Sequence, residues 1–178
     1  MGNCASVALR DIQATVAAML NDPMPLFRQE ISGKGRHAAT RENQLDISID
    51  FMRRIAHAAA AETLPRFRSQ GAVVNKEAGS FDPVTEADRE AERVIRALIS
   101  AEYPDHGILG EEHGSSNISS RHVWVIDPID GTRAFISGLP VWGTLVGLTV
   151  DGDAVAGLMS QPFTGELFYA NASGSHYE

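Results

Sequence analysis

The sequence predicts an α+β fold, a layered α/β sandwich in which paired helices lie on a largely antiparallel sheet. Three observations carry that expectation. Two amphipathic helical stretches come first, between Asp46 and Ala101. Short apolar runs bounded by turn residues fill the chain from Gly107 onward. Two of those runs, Trp142 to Val150 and Ala154 to Gln161, are separated only by Asp151-Gly152-Asp153, a link suited to neighbouring antiparallel strands.

Residues 1–45 read as an N-terminal extension, and residues 46–178 as the domain proper. The extension holds an apolar stretch from Val7 to Leu20, a Pro-containing break from Asn21 to Pro25, and a polar, basic run from Gly33 to Asn43 that is expected to be mobile. Met1-Gly2-Asn3-Cys4-Ala5-Ser6 also fits a myristoylation pattern with a neighbouring cysteine for palmitate, a short match that arises readily by chance. Met24 as the natural start is a further reading.

From Asp46 to Phe67 the apolar residues Ile47, Phe51, Met52, Ile55, Ala59 and Leu64 recur at helical spacing, with Arg53, Arg54 and Glu62 off the stripe and Pro65 in the last turn. A second helix is predicted from Glu86 to Ala101. Its buried stripe is Ala87, Ala91, Val94, Ile95 and Leu98, and Glu92 and Arg96 form an i,i+4 pair on the wet face. Tyr103 to Gly107 ends it. The strands expected beyond are Gly107–Gly110, His122–Asp127, Trp142–Val150, Ala154–Gln161 and Leu167–Ala170.

At 178 residues with 43% apolar and 21% charged side chains, the chain has the composition of one globular domain, which excludes collagen, coiled coil and wholesale disorder. The lone Cys4 forms no internal disulfide, so a reduced compartment, the cytoplasm by default, is expected. No apolar stretch approaches the length of a membrane span. Residues 1–78 carry 10 basic and 8 acidic groups, residues 79–178 carry 5 and 15, so the second part is strongly acidic. Such a surface repels nucleic acid and asks for cations.

The acids are patterned. The apolar Trp124-Val125-Ile126 runs into Asp127-Pro128-Ile129-Asp130-Gly131-Thr132, where Pro128 is expected to stop the strand at Asp127 and open a helix whose free N–H groups form a phosphate cradle beside two carboxylates. The plainer reading of Asp127 and Asp130 is an Asx turn with helix capping. Gly110-Glu111-Glu112 follows another apolar strand, and Asp82-Pro83-Val84-Thr85-Glu86-Ala87-Asp88 precedes a helix, where Thr85 and Asp88 also satisfy an ordinary capping box. If these ends meet, five or more carboxylates share one mouth. Crowded acids raise one another's pKa unless cations neutralise them, and an all-oxygen set without a Cys/His cluster suits Mg²⁺ or Mn²⁺.

Those three ordered motifs resemble the inositol monophosphatase family of Mg²⁺-dependent, lithium-sensitive phosphomonoesterases, over Asp46 to the end of the chain. The stretch Asp130-Gly131-Thr132-Arg133-Ala134-Phe135-Ile136-Ser137-Gly138-Leu139-Pro140 looks most like the bacterial histidinol-phosphate phosphatases. The resemblance implies that Glu111, Asp127 and the Ile129 carbonyl hold a first metal, and that Asp127 bridges to a second bound by Asp130. It implies that Thr132, Asp88 and Glu111 position and deprotonate the attacking water, and that Gly131 and Thr132 offer N–H groups to phosphate. Lys76, Glu112 and Arg133 are further candidates at the mouth, Lys76 at a spacing to Asp82 one residue longer than the family pattern. Two or three Mg²⁺ ions, a small phosphate monoester and a homodimer are the implied cofactors, substrate and partner. The substrate reading favours histidinol phosphate, as in histidine biosynthesis, over inositol phosphate or another sugar or nucleotide phosphate. An aspartyl-phosphate mechanism is disfavoured, because two residues rather than one separate Asp127 from Asp130.

The resemblance further implies a later Trp-Asp motif that completes the second metal site. Trp124 and Trp142 are the only tryptophans, and neither precedes Asp. The chain therefore reads as a catalytic domain cut before its C-terminal partner, with a weak second metal and low activity. A fragment that binds metal without turnover is the alternative.

Overall fold

The computed structural model describes residues 47–69, 73–75 and 83–178. The expected N-terminal extension, with Gly2 and Cys4, and the candidate Lys76 and Asp82 lie outside the described residues. Helix α1 spans Ile49–Thr63 and continues into a 3-10 turn, Leu64–Arg66, that carries Pro65 near its start. Ser48 caps it, its Oγ accepting the Phe51 N–H at 3.1 Å. Leu64, expected in the buried stripe, is 40% exposed because the tighter 3-10 turn rotates it off the apolar face.

Helix α2 spans Glu86–Glu102. Thr85 and Asp88 form the predicted capping box at its start, satisfying two otherwise open N–H groups. Its buried face includes Ile99 together with Ala87, Ala91 and Ile95, whereas Val94 and Leu98 are only half-buried. The predicted Glu92–Arg96 pair is present at 2.6 Å, yet Glu92 is fully buried and not on a wet face. A segment remote in sequence covers it.

Seven strands form one sheet in the order β4-β3-β5-β6-β7-β8-β9, from Gly107–Gly110 (β3), Ser115–Ser116 (β4), His122–Asp130 (β5), Gly143–Val150 (β6), Asp153–Gln161 (β7), Glu166–Asn171 (β8) and Gly174–Tyr177 (β9). A two-stranded ribbon, Val73–Asn75 (β1) with Pro83–Thr85 (β2), stands apart. Every neighbour in the large sheet is antiparallel except β3 and β5, which run parallel with Gly110 opposite Ile126. The β6–β7 hairpin turns through Asp151 and Gly152, both at positive φ (53° and 90°), the signature of a two-residue turn matched to strand twist.

The helices pack on each other and on the sheet through one apolar cluster. Phe51, Met52 and Ile55 of α1 and Ile95 and Ile99 of α2 meet Trp124, Ile126, Leu148 and Leu158 of the sheet. Asn171 at the end of β8 donates from Nδ2 to the Ile47 carbonyl at 2.8 Å, tying the last strands to the entrance of α1.

At the far end of β5, Tyr103, His106 and His122 stack, with ring centroids 4.8 and 4.7 Å apart, and Trp124 Nε1 donates to His106 Nδ1 at 2.9 Å. Burial, followed by the neighbouring His122, holds the His106 pKa below the ordinary imidazole value, against a smaller opposing pull from Asp105. Below about pH 6.5 the unfolded chain therefore binds a proton that the folded one resists. Stability is fully present above that pH and falls as the pH drops toward the depressed folded value. Thermal midpoints from neutral to mildly acidic pH are expected to decline more steeply for wild type than for His106→Gln. Equal slopes would show that His106 is not the linked group.

Candidate active site

Strand β5 delivers the first carboxylate. It does not stop at Asp127 as Pro128 suggests but continues to Asp130 through a bulge. Asp127 pairs with Leu145 and Asp130 with Gly143, so Pro128 and Ile129 together oppose the single Thr144. The missing Pro128 N–H falls in the disrupted part of the ladder, and the Pro128 carbonyl accepts the Thr144 hydroxyl at 2.8 Å. The bulge turns the strand end so that Asp127, 4% exposed, and the exposed Asp130 stand at one end of the sheet.

The expected helix after the bend begins later than its Pro suggested. Helix α3 spans only Thr132–Ile136, with Gly131 as its N-cap at φ 91°, a left-handed conformation that a side chain rarely adopts. Beneath it Phe67, Phe135 and Trp142 form an aromatic cluster with centroids 4.9 to 5.4 Å apart, joined by Ile129 and Ala87. This cluster fixes α3, the bulge and the start of α2 relative to one another.

Parallel pairing of β3 with β5 brings the second acidic motif alongside. Gly110 lies opposite Ile126, and the Glu111 N–H donates to the Ile126 carbonyl at 3.3 Å, so Glu111 leaves β3 beside Asp127. Burial, and next the charge of Glu111, raise the Asp130 pKa above the usual carboxylate value. The third motif arrives on α2. Buried Asp88 accepts the Thr85 N–H at 2.8 Å through Oδ2, and its Oδ1 lies 3.4 Å from the Thr132 hydroxyl. The same hydroxyl lies 3.0 Å from the Ile129 carbonyl. Arg133 is exposed on α3, and Glu112 is half-buried after Glu111.

The described candidates thus cluster at one end of β3 and β5, with the N-terminal ends of α2 and α3. The candidate metal donors among them are oxygens throughout, and burial of Asp130 beside the charge of Glu111 is a setting that a hard cation neutralises. That chemistry fits a hard divalent cation. Among the described residues, no three His, Cys, Asp or Glu side chains are already gathered around one point. Among them too, no helix is long and apolar enough to cross a membrane. Sequence reasoning missed Glu92, whose carboxylate touches the Glu111 loop; an acidic residue in a helix with an i,i+4 arginine carries no local sign of burial.

Residues 44–177 match the inositol monophosphatase family. The chain is 49% identical over 88 residues to a histidinol-phosphatase of Chlorobaculum parvum, covering 49% of this chain and 34% of that protein. It is 43% identical over 124 residues to the inositol-1-monophosphatase ImpA of Mycolicibacterium smegmatis, covering 69% and 43%. Among solved structures, the extragenic suppressor protein suhB from Bartonella henselae superposes with a TM-score of 0.67 at 29% identity, over 72% of this chain and 51% of that one. The chain spans about a third to a half of the length of these relatives. With the match running through both helices, the bulged strand and the carboxylate loop, the chain belongs to the inositol monophosphatase family.

Proposed function

We propose that this protein is a Mg²⁺-dependent phosphomonoesterase with residues 46–178 as its catalytic domain, hydrolysing histidinol phosphate to histidinol through an activated water. The observation that carries the reading is the convergence at one sheet end of Glu111, delivered by the parallel β3–β5 register, with Asp127, Ile129 and Asp130, delivered by the bulge. Glu111, Asp127, Asp130 and the Ile129 carbonyl would hold two or three Mg²⁺ ions, or Mn²⁺ in their place. Bound there, such ions supply charge neutralisation and a lowered water pKa.

The remaining roles belong to the chain's own groups. The Thr132 hydroxyl sits between Asp88 and the Ile129 carbonyl, and a water accepted there has a carboxylate within reach for its proton. Asp88 is held by the capping box, which fixes its orientation before substrate arrives. The N–H groups of Gly131 and Thr132 are the candidates for phosphoryl oxygens, and Arg133 and Glu112 flank the approach. Histidinol phosphate is favoured because relatives named histidinol-phosphatase recur. Relatives named inositol-1-monophosphatase make inositol phosphate the runner-up.

The test is phosphate release by the purified chain with Mg²⁺ from histidinol phosphate, inositol 1-phosphate and glucose 1-phosphate. Fastest release from the first supports the proposal, and preference for another substrate refutes the substrate choice. A second reading, metal binding without turnover, is favoured by the absence, among the described residues, of three Asp, Glu, His or Cys side chains already gathered around one point. Calorimetric Mg²⁺ uptake with no release from any ester establishes it. Within the phosphatase reading, Thr132→Val is expected to slow release about tenfold, the worth of one hydrogen bond to a charged group, and Thr132→Ser to restore most of the rate. A fully active Thr132→Val protein removes the hydroxyl from the mechanism.

A further inference from the structure

We infer that Glu92 is a positioning residue, holding residues 111–113 against α2 and so setting where Glu111 stands beside Asp127; the assignment rests on the phosphatase reading above. Glu92 is fully buried one helical turn after Asp88. Its Oε2 accepts the Glu112 N–H at 2.6 Å, and its Oε1 accepts the His113 N–H at 3.1 Å and the Arg96 Nε–H at 2.6 Å. Burial of a carboxylate is costly, and three donors, one of them charged, are the compensation the fold provides.

The loop is fastened around this carboxylate from several sides. Arg96 also donates through Nη2 to the Gly114 carbonyl, the Gly110 N–H donates to the same carbonyl at 2.9 Å, and His113 Nε2 lies 2.9 Å from the Arg89 carbonyl. Space is equally specified. A Cβ on Gly110 would meet Glu92 Oε1 at 1.9 Å and its carboxyl carbon at 2.4 Å, so the residue before Glu111 has to be glycine while Glu92 occupies that position. One rigid helix thereby places two groups of the site, Asp88 directly and Glu111 through Glu92. An apolar side chain at 92 would fill the volume at less electrostatic cost but could not fix two consecutive turn amides.

The test uses the full chain, with amide exchange measured in EDTA and Mn²⁺ affinity as the probe of the site. In Glu92→Ala, exchange at Glu112 and His113 is expected to quicken about tenfold or more while amides of β5 and β6 keep their rates, and Mn²⁺ affinity to fall about 10- to 100-fold. Glu92→Gln, which keeps an acceptor, should recover part of both, and Glu90→Gln on the same helix should change neither. Gly110→Ala should reproduce the loss, and combining it with Glu92→Ala should be no worse than either alone, because the added methyl takes the space the carboxylate leaves. Wild-type Mn²⁺ affinity in Glu92→Ala, or in Glu92→Gln should the alanine variant not fold, overturns the assignment, as does a harmless Gly110→Ala. A wild-type chain that takes up no Mn²⁺ overturns the phosphatase reading instead. The hold of Glu92 on the loop is then judged by exchange alone, unchanged rates at Glu112 and His113 overturning it.

Discussion

Asp127→Asn is expected, on the phosphatase reading proposed above, to reduce Mg²⁺-dependent phosphate release by on the order of 10³-fold, the scale of several kcal/mol of transition-state charge stabilisation. The substitution keeps size and shape while removing a charge from a side chain that is 4% exposed at the end of β5. Its effect on stability should run the other way. Without divalent metal, the wild-type chain confines Asp127, Glu111 and Asp130 to one sheet end, and an amide at 127 removes part of that crowding. In EDTA the thermal midpoint of Asp127→Asn should therefore match or exceed that of wild type, by roughly 2–4 °C for each kcal/mol gained. Added Mg²⁺ should raise the wild-type midpoint and leave the variant's unmoved. A variant that loses activity with Mg²⁺ and whose midpoint in EDTA also falls would make Asp127 a structural residue, and one that keeps its activity would remove it from the site.

Much of this arrangement was legible in the order of residues, and the exceptions share a physical origin. Both helices, the β6–β7 hairpin and the capping box at Thr85 depend on contacts within a few residues, and periodicity and turn chemistry report these directly. The ribbon of β1 and β2, strand β4 and strand β9 are two to four residues long, below the length at which alternation is visible. Pro128 reads as a strand terminator, because the rule that excludes proline from ladders is local. Its exception depends on Thr144, sixteen residues away, which accepts two residues opposite it and donates to the Pro128 carbonyl. Glu92 falls on the wet face of a helical wheel for the same reason. A helical wheel shows which residues share a face but not that residues 110–114 return to cover it. The acidic motifs stand out in the sequence because each sits at an element end with turn residues around it. The approach of Glu111 to Asp127 follows from the parallel pairing of β3 with β5, which short-range pattern does not encode.

Trp124→Ala should cost about 3–5 kcal/mol of folding stability, the range for removing a large aromatic from a core that cannot close over the gap. The residue is fully buried on β5, three positions before Asp127, and lies between the layers: its ring is 5.8 Å from both Phe51 of α1 and Tyr103 after α2. Its indole N–H also occupies His106 Nδ1, so the alanine variant opens a cavity and leaves an imidazole nitrogen in partly buried surroundings without that donor. Trp124→Phe separates the two contributions. It retains most of the packing and forfeits the hydrogen bond, so a loss of about 1–3 kcal/mol is expected, with the acid-linked instability of His106 altered as well. Denaturant titration of both variants measures the difference. Because the carboxylates at the other end of β5 are positioned by the bulge and by α3, Trp124→Phe should bind Mn²⁺ with wild-type affinity wherever it remains folded. Weakened binding in a folded Trp124→Phe chain would mean that the layer contact sets the site, and that the bulge alone does not.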